Sequence, residues 1–573
     1  MSCQRRFDTI SLISISIIQF FIAAKRGRES AEHADRIFEE MKAPKDVVTY
    51  STVISAWSAS GMRSHAVVRA EELLREMDKT PGLQPNTIVL NSVMSAWVKS
   101  KNPASVNRTA ELLEYMEHSV HAPADLVTYN THLHALLLHS HRIRGYGNQA
   151  ADILASLEAR YKRGEITFRP NLFSYNVVIE ALCRSLSPEA GWDAARLLRS
   201  FLSNDNGYEP DIFSFNQVLT ALSRSKKTGS AQLAEHLLDY MEIAYKNGVY
   251  RKAKSDIVSY TSIIVALARS GEANAAERGE KLLNRLKGHY EAGRTDMKPT
   301  RVFYNTLIGA WANSGSLLGA RKAEALLMEM EEMCAMGDIS VAPNVLTYNS
   351  VVDSWAQSGT RCAGNMAVKY LDRMTMLNST EGEIQIRPNG RTFNSVINAI
   401  AKSDSETKAQ KSLRILRRME KLYQSGYGGA RPNAVTYTSV LNAAAAFPAK
   451  SIDVKTKRKA LETAIFTLHE LQSCQYAQPT ELTYSTFIKA CYNLMSTEDE
   501  DSLREVIQET FRQCKDDGQV GKMFLSELRE AAPKDLYTNL LSDVALKNKD
   551  FVEVDDLPHS WRCNVRTVAK NSR

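Results

Sequence analysis

The sequence predicts an all-α chain of stacked helical hairpins, on three observations. A short phrase with an aromatic near its start recurs eleven times at a nearly constant interval. Within each copy the apolar residues fall at helical spacing, and a second run of helical spacing follows each copy. A proline closes most units just ahead of the next.

The phrase begins after Asp46, Asn86, Asp125, Asn171, Asp211, Asp256, Thr300, Asn344, Asn389, Asn433 and Thr480, so successive starts lie 39 to 47 residues apart. After Asp46 it reads VVTYSTVISAW, and after Asn344 it reads VLTYNSVVDSW. Tyr348, Val351, Val352 and Trp355 form one stripe at i, i+3, i+4 and i+7, the pattern of an amphipathic helix. Ala70, Leu73, Leu74 and Met77 repeat that spacing in the second run of the first copy. Ser60–Gly61, Ser314–Gly315 and Ser358–Gly359 lie between the two runs and suit a tight helix–helix turn. A hairpin of this kind cannot bury its apolar faces alone, so eleven are expected to stack as a solenoid.

The organisation follows in chain order. Residues 1–46 are an N-terminal segment, 47–515 the array of eleven hairpins, and 516–573 a C-terminal region of capping helices and tail. In the N-terminal segment the apolar run Ile10–Ala24 reaches only about 22 Å as a helix, short of the roughly 30 Å a hydrocarbon core requires, so no transmembrane helix is expected. The run fits a secretory-type signal flanked by Arg5 and Arg6, or a degenerate first-repeat helix. The second is preferred, because AEHADRIFEEM at Ala31–Met41 reads as its second helix. SELREAAPKDLYTNLL in the tail is expected to cap the last repeat, and DFVEVDDLPHSW reads as a loop.

Composition narrows the function classes. A net charge of +7 on 573 residues permits a nucleic-acid partner without demanding one. The eight cysteines are scattered, with no C-x-x-C pair, which argues against a disulfide framework or a zinc knuckle. In THLHALLLHSH, His132 and His139 are seven residues apart, as are His134 and His141, but no acid accompanies them and a zinc site is not favoured. No nucleophile elbow, phosphate loop or dinucleotide fingerprint occurs. The expectation is a non-enzymatic chain with no cofactor and no metal.

The phrase P-[ND]-x-x-[TS]-[YF]-N-x-[VL]-[IL]-x-A followed by A-E-x-L-L-x-x-M resembles the pentatricopeptide repeat family over about residues 30–515. The units are longer than that family's usual repeat, and the excess falls after the second helix, as in EEMCAMGDISVAPN at Glu331–Asn344. The resemblance implies a right-handed superhelical α-solenoid that binds single-stranded RNA, one base per repeat, in a mitochondrion or chloroplast. Processing, stabilisation, editing or translation of that RNA is the implied role, with RNA-processing or editing enzymes as further partners. The tail lacks the H-x-E…C-x-x-C deaminase signature carried by some RNA-editing relatives.

Four register positions are candidate binding sites, numbered from the residue that precedes the phrase. Position +5, just after the aromatic, holds Ser51, Asn91, Asn130, Asn176, Asn216, Thr261, Asn305, Asn349, Asn394, Thr438 and Ser485. Asparagine is about 0.6 kcal/mol worse than alanine inside a helix, and these side chains sit 100° round from the aromatic. A local side-chain–backbone bond is one reading; the resemblance implies contact with the Watson–Crick edge of a base. Position 0 holds only Asp, Asn or Thr, the preferred N-caps, and in the family it selects the base together with the preceding +5 residue.

Carried over, Asn91 with Asp125, Asn176 with Asp211 and Asn216 with Asp256 imply uracil. Asn130 with Asn171, Asn305 with Asn344, Asn349 with Asn389 and Asn394 with Asn433 imply a pyrimidine, and Ser51 with Asn86 leans to adenine. Thr261 with Thr300 and Thr438 with Thr480 have no assignment. The implied target, 5′ to 3′, is A-U-Y-U-U-x-Y-Y-Y-x, a pyrimidine-rich strand. Position +2 holds Val48, Ile88, Val127, Phe173, Phe213, Val258, Val302, Leu346, Val435 and Leu482, with Arg391 the exception. It is either inter-repeat core or, by the resemblance, the residue that sandwiches each base. Position +13 holds Lys99, Arg184, Arg224, Arg269 and Lys402, expected to meet phosphates. The alternative to RNA binding is a tetratricopeptide-like scaffold with peptides in its groove.

Overall fold

The first helix of each hairpin begins where a side chain takes over the orphan amides of its first turn. Thr49, Thr128, Ser174, Ser214 and Ser259 at position +3 are fully buried against the caps that precede them. In the computed structural model, which describes residues 27–41, 44–203, 208–379, 386–446, 453–495, 500–542 and 552–565, a helix α1 (Arg28–Glu40) comes first. The N-terminal apolar run and its possible repeat helix lie outside the described residues.

Five and a half hairpins follow. They are α2 (Val47–Ala59) and α3 (Arg63–Lys79), α4 (Thr87–Ser100) and α5 (Ser105–His118), α6 (Leu126–His139) and α7 (Tyr146–Lys162). Then come α8 (Leu172–Arg184) and α9 (Ala190–Ser203), α10 (Ile212–Arg224) and α11 (Ser230–Lys246), and α12 (Ile257–Ser270). Beyond them lie α13 (Ala275–Glu291), α14 (Arg301–Asn313), α15 (Leu317–Ala335), α16 (Val345–Gln357), α17 (Ala363–Ser379), α18 (Gly390–Lys402) and α19 (Lys408–Gln424). The rest are α20 (Ala434–Ala445), α21 (Val454–Gln472), α22 (Glu481–Leu494), α23 (Glu500–Asp516), α24 (Lys522–Ala531), α25 (Lys534–Leu540) and α26 (His559–Arg562). From α2 to α23, even labels are first helices and odd labels second ones.

The described residues divide into two compact units, those up to residue 270 with 294–297, and 271–293 with those from 298 onward. Within the first unit α2, α4, α6, α8, α10 and α12 stack in a row, each on the next. Each second helix from α3 to α11 packs on its own first helix and on the following one. Within the second unit α14, α16, α18, α20 and α22 form the corresponding row. This is the all-α, hairpin-stacked architecture that the repeats predict. The added repeat length lies in second helices of up to 19 residues, such as α15, and in 3₁₀ turns such as Ile339–Val341 ahead of the next cap.

The cores of both rows are built from the predicted stripes. Tyr348, Val351, Val352 and Trp355 are buried, as are Ala70, Leu73, Leu74 and Met77. The buried +4 tyrosines end on carboxylates of second helices: Tyr50 donates to Glu76 at 2.9 Å, Tyr260 to Glu242 at 2.7 Å and Tyr437 to Glu420 at 3.0 Å. Burial, aided by that carboxylate, pushes the Tyr50 phenol up to about 12. Gly61, Gly315 and Gly359 take positive φ at the hairpin turns, the conformation glycine adopts without steric cost.

Where helices meet most tightly, a glycine is required inside a helix. A Cβ on Gly191 in α9 would lie 2.9 Å from the Leu222 amide nitrogen and 3.0 Å from the Ala221 carbonyl carbon, both backbone atoms of α10. Gly→Ala inside a helix ordinarily stabilises by about 1 kcal/mol. Gly191→Ala is expected to do the reverse, by about 1–3 kcal/mol, because α9 must retreat from α10. Urea unfolding of the full chain checks the sign; a raised midpoint would contradict the close approach.

At the end of the second unit, α24 packs on α22 as a further first helix would. Phe524, Leu525 and Leu528 are buried there. The predicted loop is part of this cap: Trp561 is buried edge-on against Phe511, and its carbonyl accepts from the Val520 amide at 2.8 Å. An isolated tryptophan beside Pro558 carries too little periodicity to reveal this from sequence. Among the described residues no helix is long and apolar enough to cross a membrane.

Candidate nucleic-acid interface

All eleven position-0 residues cap their helices. Each accepts a bond from the +3 amide at 2.8 to 3.4 Å, from Asp46 with Thr49 to Thr480 with Thr483. Capping is therefore a role of this position, and it fixes each side chain at the mouth of a first helix.

The same oxygens meet the +5 side chain of the preceding hairpin. Asn91 donates to Asp125 at 3.1 Å, Asn176 to both Asp211 oxygens at 3.3 Å, and Asn216 to Asp256 at 3.1 and 3.3 Å. In return Ser214 and Ser259, at +3, donate to Asn176 and Asn216 at 2.6 Å. Ser174 treats Asn130 likewise at 2.7 Å, and Thr347 treats Asn305 at 2.7 Å. The two positions paired by family resemblance are thus physical neighbours, joined across adjacent first helices. The asparagine at +5 bonds to the next hairpin and not to its own backbone at these sites.

The sites differ in access. Asn91, Asn130, Asn176, Asn216, Asn305 and Asn394 are part-exposed. Asn349 is buried with both amide atoms unpartnered. Thr438 is buried beside Thr483, their hydroxyls 2.9 Å apart, and Ser485 is buried with its hydroxyl on the Glu481 carbonyl at 2.7 Å. A ligand reaches these three only if neighbouring first helices part. Thr261 bonds to its own Ile257 carbonyl at 2.7 Å and Ser51 to the Val48 carbonyl at 2.8 Å.

Position +2 decides between its two readings. Val48, Ile88, Val127, Phe173, Phe213, Val258, Val302, Leu346, Val435 and Leu482 are all 42–62% exposed. None is inter-repeat core. A helical wheel accounts for it: +2 lies about 160–180° from the buried +4 and +11 residues. Ten exposed apolar side chains at one register position, each on a first helix, form an uncovered row in each unit. Arg391 keeps the register but is tied to Asp353 at 3.3 Å.

No family model matches the chain, and no curated protein matches it. Among solved structures, the pentatricopeptide repeat protein PPR10 from maize is 17% identical, with 90% of this chain and 76% of that chain covered, at a TM-score of 0.35. Two structures of PPR10 in complex with an 18-nt psaJ RNA element are 19% identical, covering 90% of this chain and 77% of that one, at the same TM-score of 0.35. The chain is similar to a pentatricopeptide repeat protein.

The +13 cations are all exposed at the last turns of their helices, where the helix dipole also favours positive charge. Lys99 donates to the Ser58 carbonyl at 3.1 Å and Arg269 to the Ser223 carbonyl at 3.3 Å, each reaching back to the preceding first helix. Arg184 pairs with Glu180 at 2.6 Å. Arg224 and Lys402 project from the surface. The column exists, but three of its five members already hold a protein partner.

One further register position carries polar groups on this face. Position +6 is Ser or Thr in nine copies, including Thr52, Thr131, Thr306 and Ser439. These four bond to the carbonyl of their own +2 residue at 2.6 to 2.8 Å. A constant residue class at a constant offset was the signal in the sequence for these hydroxyls beside the apolar row.

The histidines serve packing. His132 Nδ1 lies 2.9 Å from the Thr109 hydroxyl and His139 Nε2 lies 3.2 Å from that of Ser105, both on α5. Burial pushes His132 down to about 4, so it is neutral at pH 7. Among the described residues no group of three or more His, Cys, Asp or Glu is placed to hold a metal.

Proposed function

We propose that the chain is a sequence-specific, single-stranded RNA-binding protein that reads one base per hairpin and performs no chemistry of its own. The observation that carries this is the exposed apolar +2 row beside the joined +5 and cap side chains. Flat apolar contact next to fixed donors and acceptors is what an unstacked base requires. The motif's resemblance to the pentatricopeptide family supplies the polymer and its orientation, with the 5′ end at the N-terminal hairpins.

The division into units makes the reading two blocks. In this reading A-U-Y-U-U is assigned to the first helices of the first unit and Y-Y-Y to the row from α14 onward. The enclosed Asn349 makes the second block the weaker one. The protein is proposed to act in a mitochondrion or chloroplast, where a held strand resists exonucleases or presents a site to a processing or editing enzyme.

Selection from a random RNA pool with the purified full chain tests the proposal. The expected product is enrichment of A-U-Y-U-U ahead of a pyrimidine tract. No enrichment, together with capture of an extended peptide from a peptide library, would replace this reading by the peptide-binding scaffold.

A further inference from the structure

A cavity of about 550 Å³ opens among the C-terminal ends of α2, α4 and α6 and the first turn of α3. That volume lies in the range of small-molecule and nucleotide sites, roughly 300–1,000 Å³. Its apolar wall includes Trp57 and Leu138; its charged members are Arg63, Lys99 and Lys101, with His134 beside them. No carboxylate lines it. Among the described residues neither Arg63 nor Lys101 has an ion-pair partner, whereas Arg69 pairs with Asp35 and Arg108 with Glu71.

Lys101 is the feature that repetition does not explain. It stands fifteen residues after its cap, where Gly61, Gly271, Gly315 and Gly359 stand in other copies. Those glycines take the left-handed conformation, and Lys101 takes it too, at φ 58°. It is the one non-glycine residue with positive φ among the described residues. A side chain with a Cβ is strained there and glycine is not. The hairpin thus accepts backbone strain at the rim of this cavity in exchange for an ammonium group, a pattern associated with functional positions. The first turn of α3, which also faces the cavity, has no side-chain cap, leaving amides that favour an anion.

We propose that this cavity binds a terminal phosphate, the 5′-phosphate of the RNA strand, ahead of the first base read at Ser51 and Asn86. The assignment rests on the RNA reading above, which places the 5′ end at these hairpins. A phosphomonoester carries a charge of about −1.5 to −2 at pH 7, against −1 for an internal phosphodiester. Three cations lining one cavity without a carboxylate, Lys99 among them already donating to the Ser58 carbonyl, therefore favour the terminus over the middle of a strand.

The test compares 5′-phosphorylated and 5′-hydroxyl forms of one RNA beginning A-U-Y-U-U, bound to wild type and to Lys101→Gly. Glycine is what four other copies carry, so the variant relieves strain and keeps the turn. Wild type is expected to bind the phosphorylated strand at least tenfold more tightly, and Lys101→Gly to lose that preference with unchanged affinity for the hydroxyl strand. Tight but equal binding of both strands would overturn the phosphate site and leave the RNA reading intact. A preference that survives in Lys101→Gly would place the phosphate elsewhere. Failure of wild type to bind either strand would remove both readings. Adenosine 5′-monophosphate titrated alone is expected to bind no tighter than millimolar. Tighter binding that disappears in Lys101→Gly would make the cavity a free-nucleotide site and overturn the strand-end assignment.

Discussion

Replacing Phe173 and Phe213 together by alanine is expected to weaken RNA binding by about 30-fold or more. The two rings occupy +2 on the adjacent helices α8 and α10, and both lie about half exposed. In the proposed mode they face one base from its two sides. An aromatic stacking partner contributes about 1–3 kcal/mol per base, and 1.4 kcal/mol is a factor of ten. Because both side chains are open to solvent already, truncation leaves no core cavity and the thermal midpoint should move little. Fluorescence anisotropy with a matched strand measures the loss, and circular dichroism confirms the fold. The comparison Val435→Ala should cost less than about tenfold, since an aliphatic group offers a smaller surface to a base. Double-variant affinity within twofold of wild type would mean that the exposed row does not touch the ligand.

The second large effect concerns selectivity. Asn176→Thr combined with Asp211→Asn is expected to shift the preferred fourth base from U to A by about tenfold, with overall affinity for the best strand retained. The structure explains why this pair must be changed together. Asn176 donates to both Asp211 oxygens, and the one Ser214 hydroxyl lies between them, 2.6 Å from the Asn176 amide oxygen and 2.8 Å from an Asp211 carboxylate oxygen, with a single proton to share. Changing one member leaves the other's donors or acceptors unmatched. Asp211 also caps α10, so Asp211→Ala would cost about 0.5–2 kcal/mol of stability and confound any binding result. Asparagine caps five other first helices with the same geometry, so Asp211→Asn retains the fold. Binding to strands that differ only at the fourth base reads the outcome. A variant that still prefers U there would sever the link between these side chains and base choice.

The paired positions illustrate how one cap side chain can hold two partners without conflict. The cap oxygen of Asp125 accepts the Thr128 amide of its own helix and the Asn91 amide of the previous one. A carboxylate has about four lone-pair sites, so capping uses only part of its capacity. Sequence alone leaves capping and recognition compatible at this position. In the structure the cap oxygen also meets the asparagine of the previous hairpin, so in the proposed mode a ligand would compete for the asparagine's bonds and leave the cap in place.

How far the site was legible depends on the residue. The +5 asparagines announced themselves by an unfavourable helix propensity repeated seven times, and the caps by their restricted chemistry. Whether Asn349 is reachable was invisible, because it stands at the same register after a tyrosine as Asn305, which is part-exposed. Lys101 was equally silent, since a lysine after a helix reads as ordinary surface until its backbone is seen to be left-handed. Lys99 and Arg269 looked like free phosphate ligands, yet each spans the gap to a carbonyl of the preceding helix.

By itself the sequence determined the secondary structure, the hairpin unit, the buried stripe and the order in which hairpins follow one another. Those properties depend on spacing within some forty residues, and helical period plus capping chemistry fixes them locally. Only the tertiary structure decided that the +2 row is uncovered, that Asn91 meets Asp125, and that an unbroken run of repeats packs as two units. Each of these depends on how one hairpin seats against the next, and that is set by side-chain volumes at contacts such as Gly191 against Ala221 and Leu222. Periodicity assigns a residue to a face of its helix, whereas packing against neighbours determines whether that face meets protein or solvent.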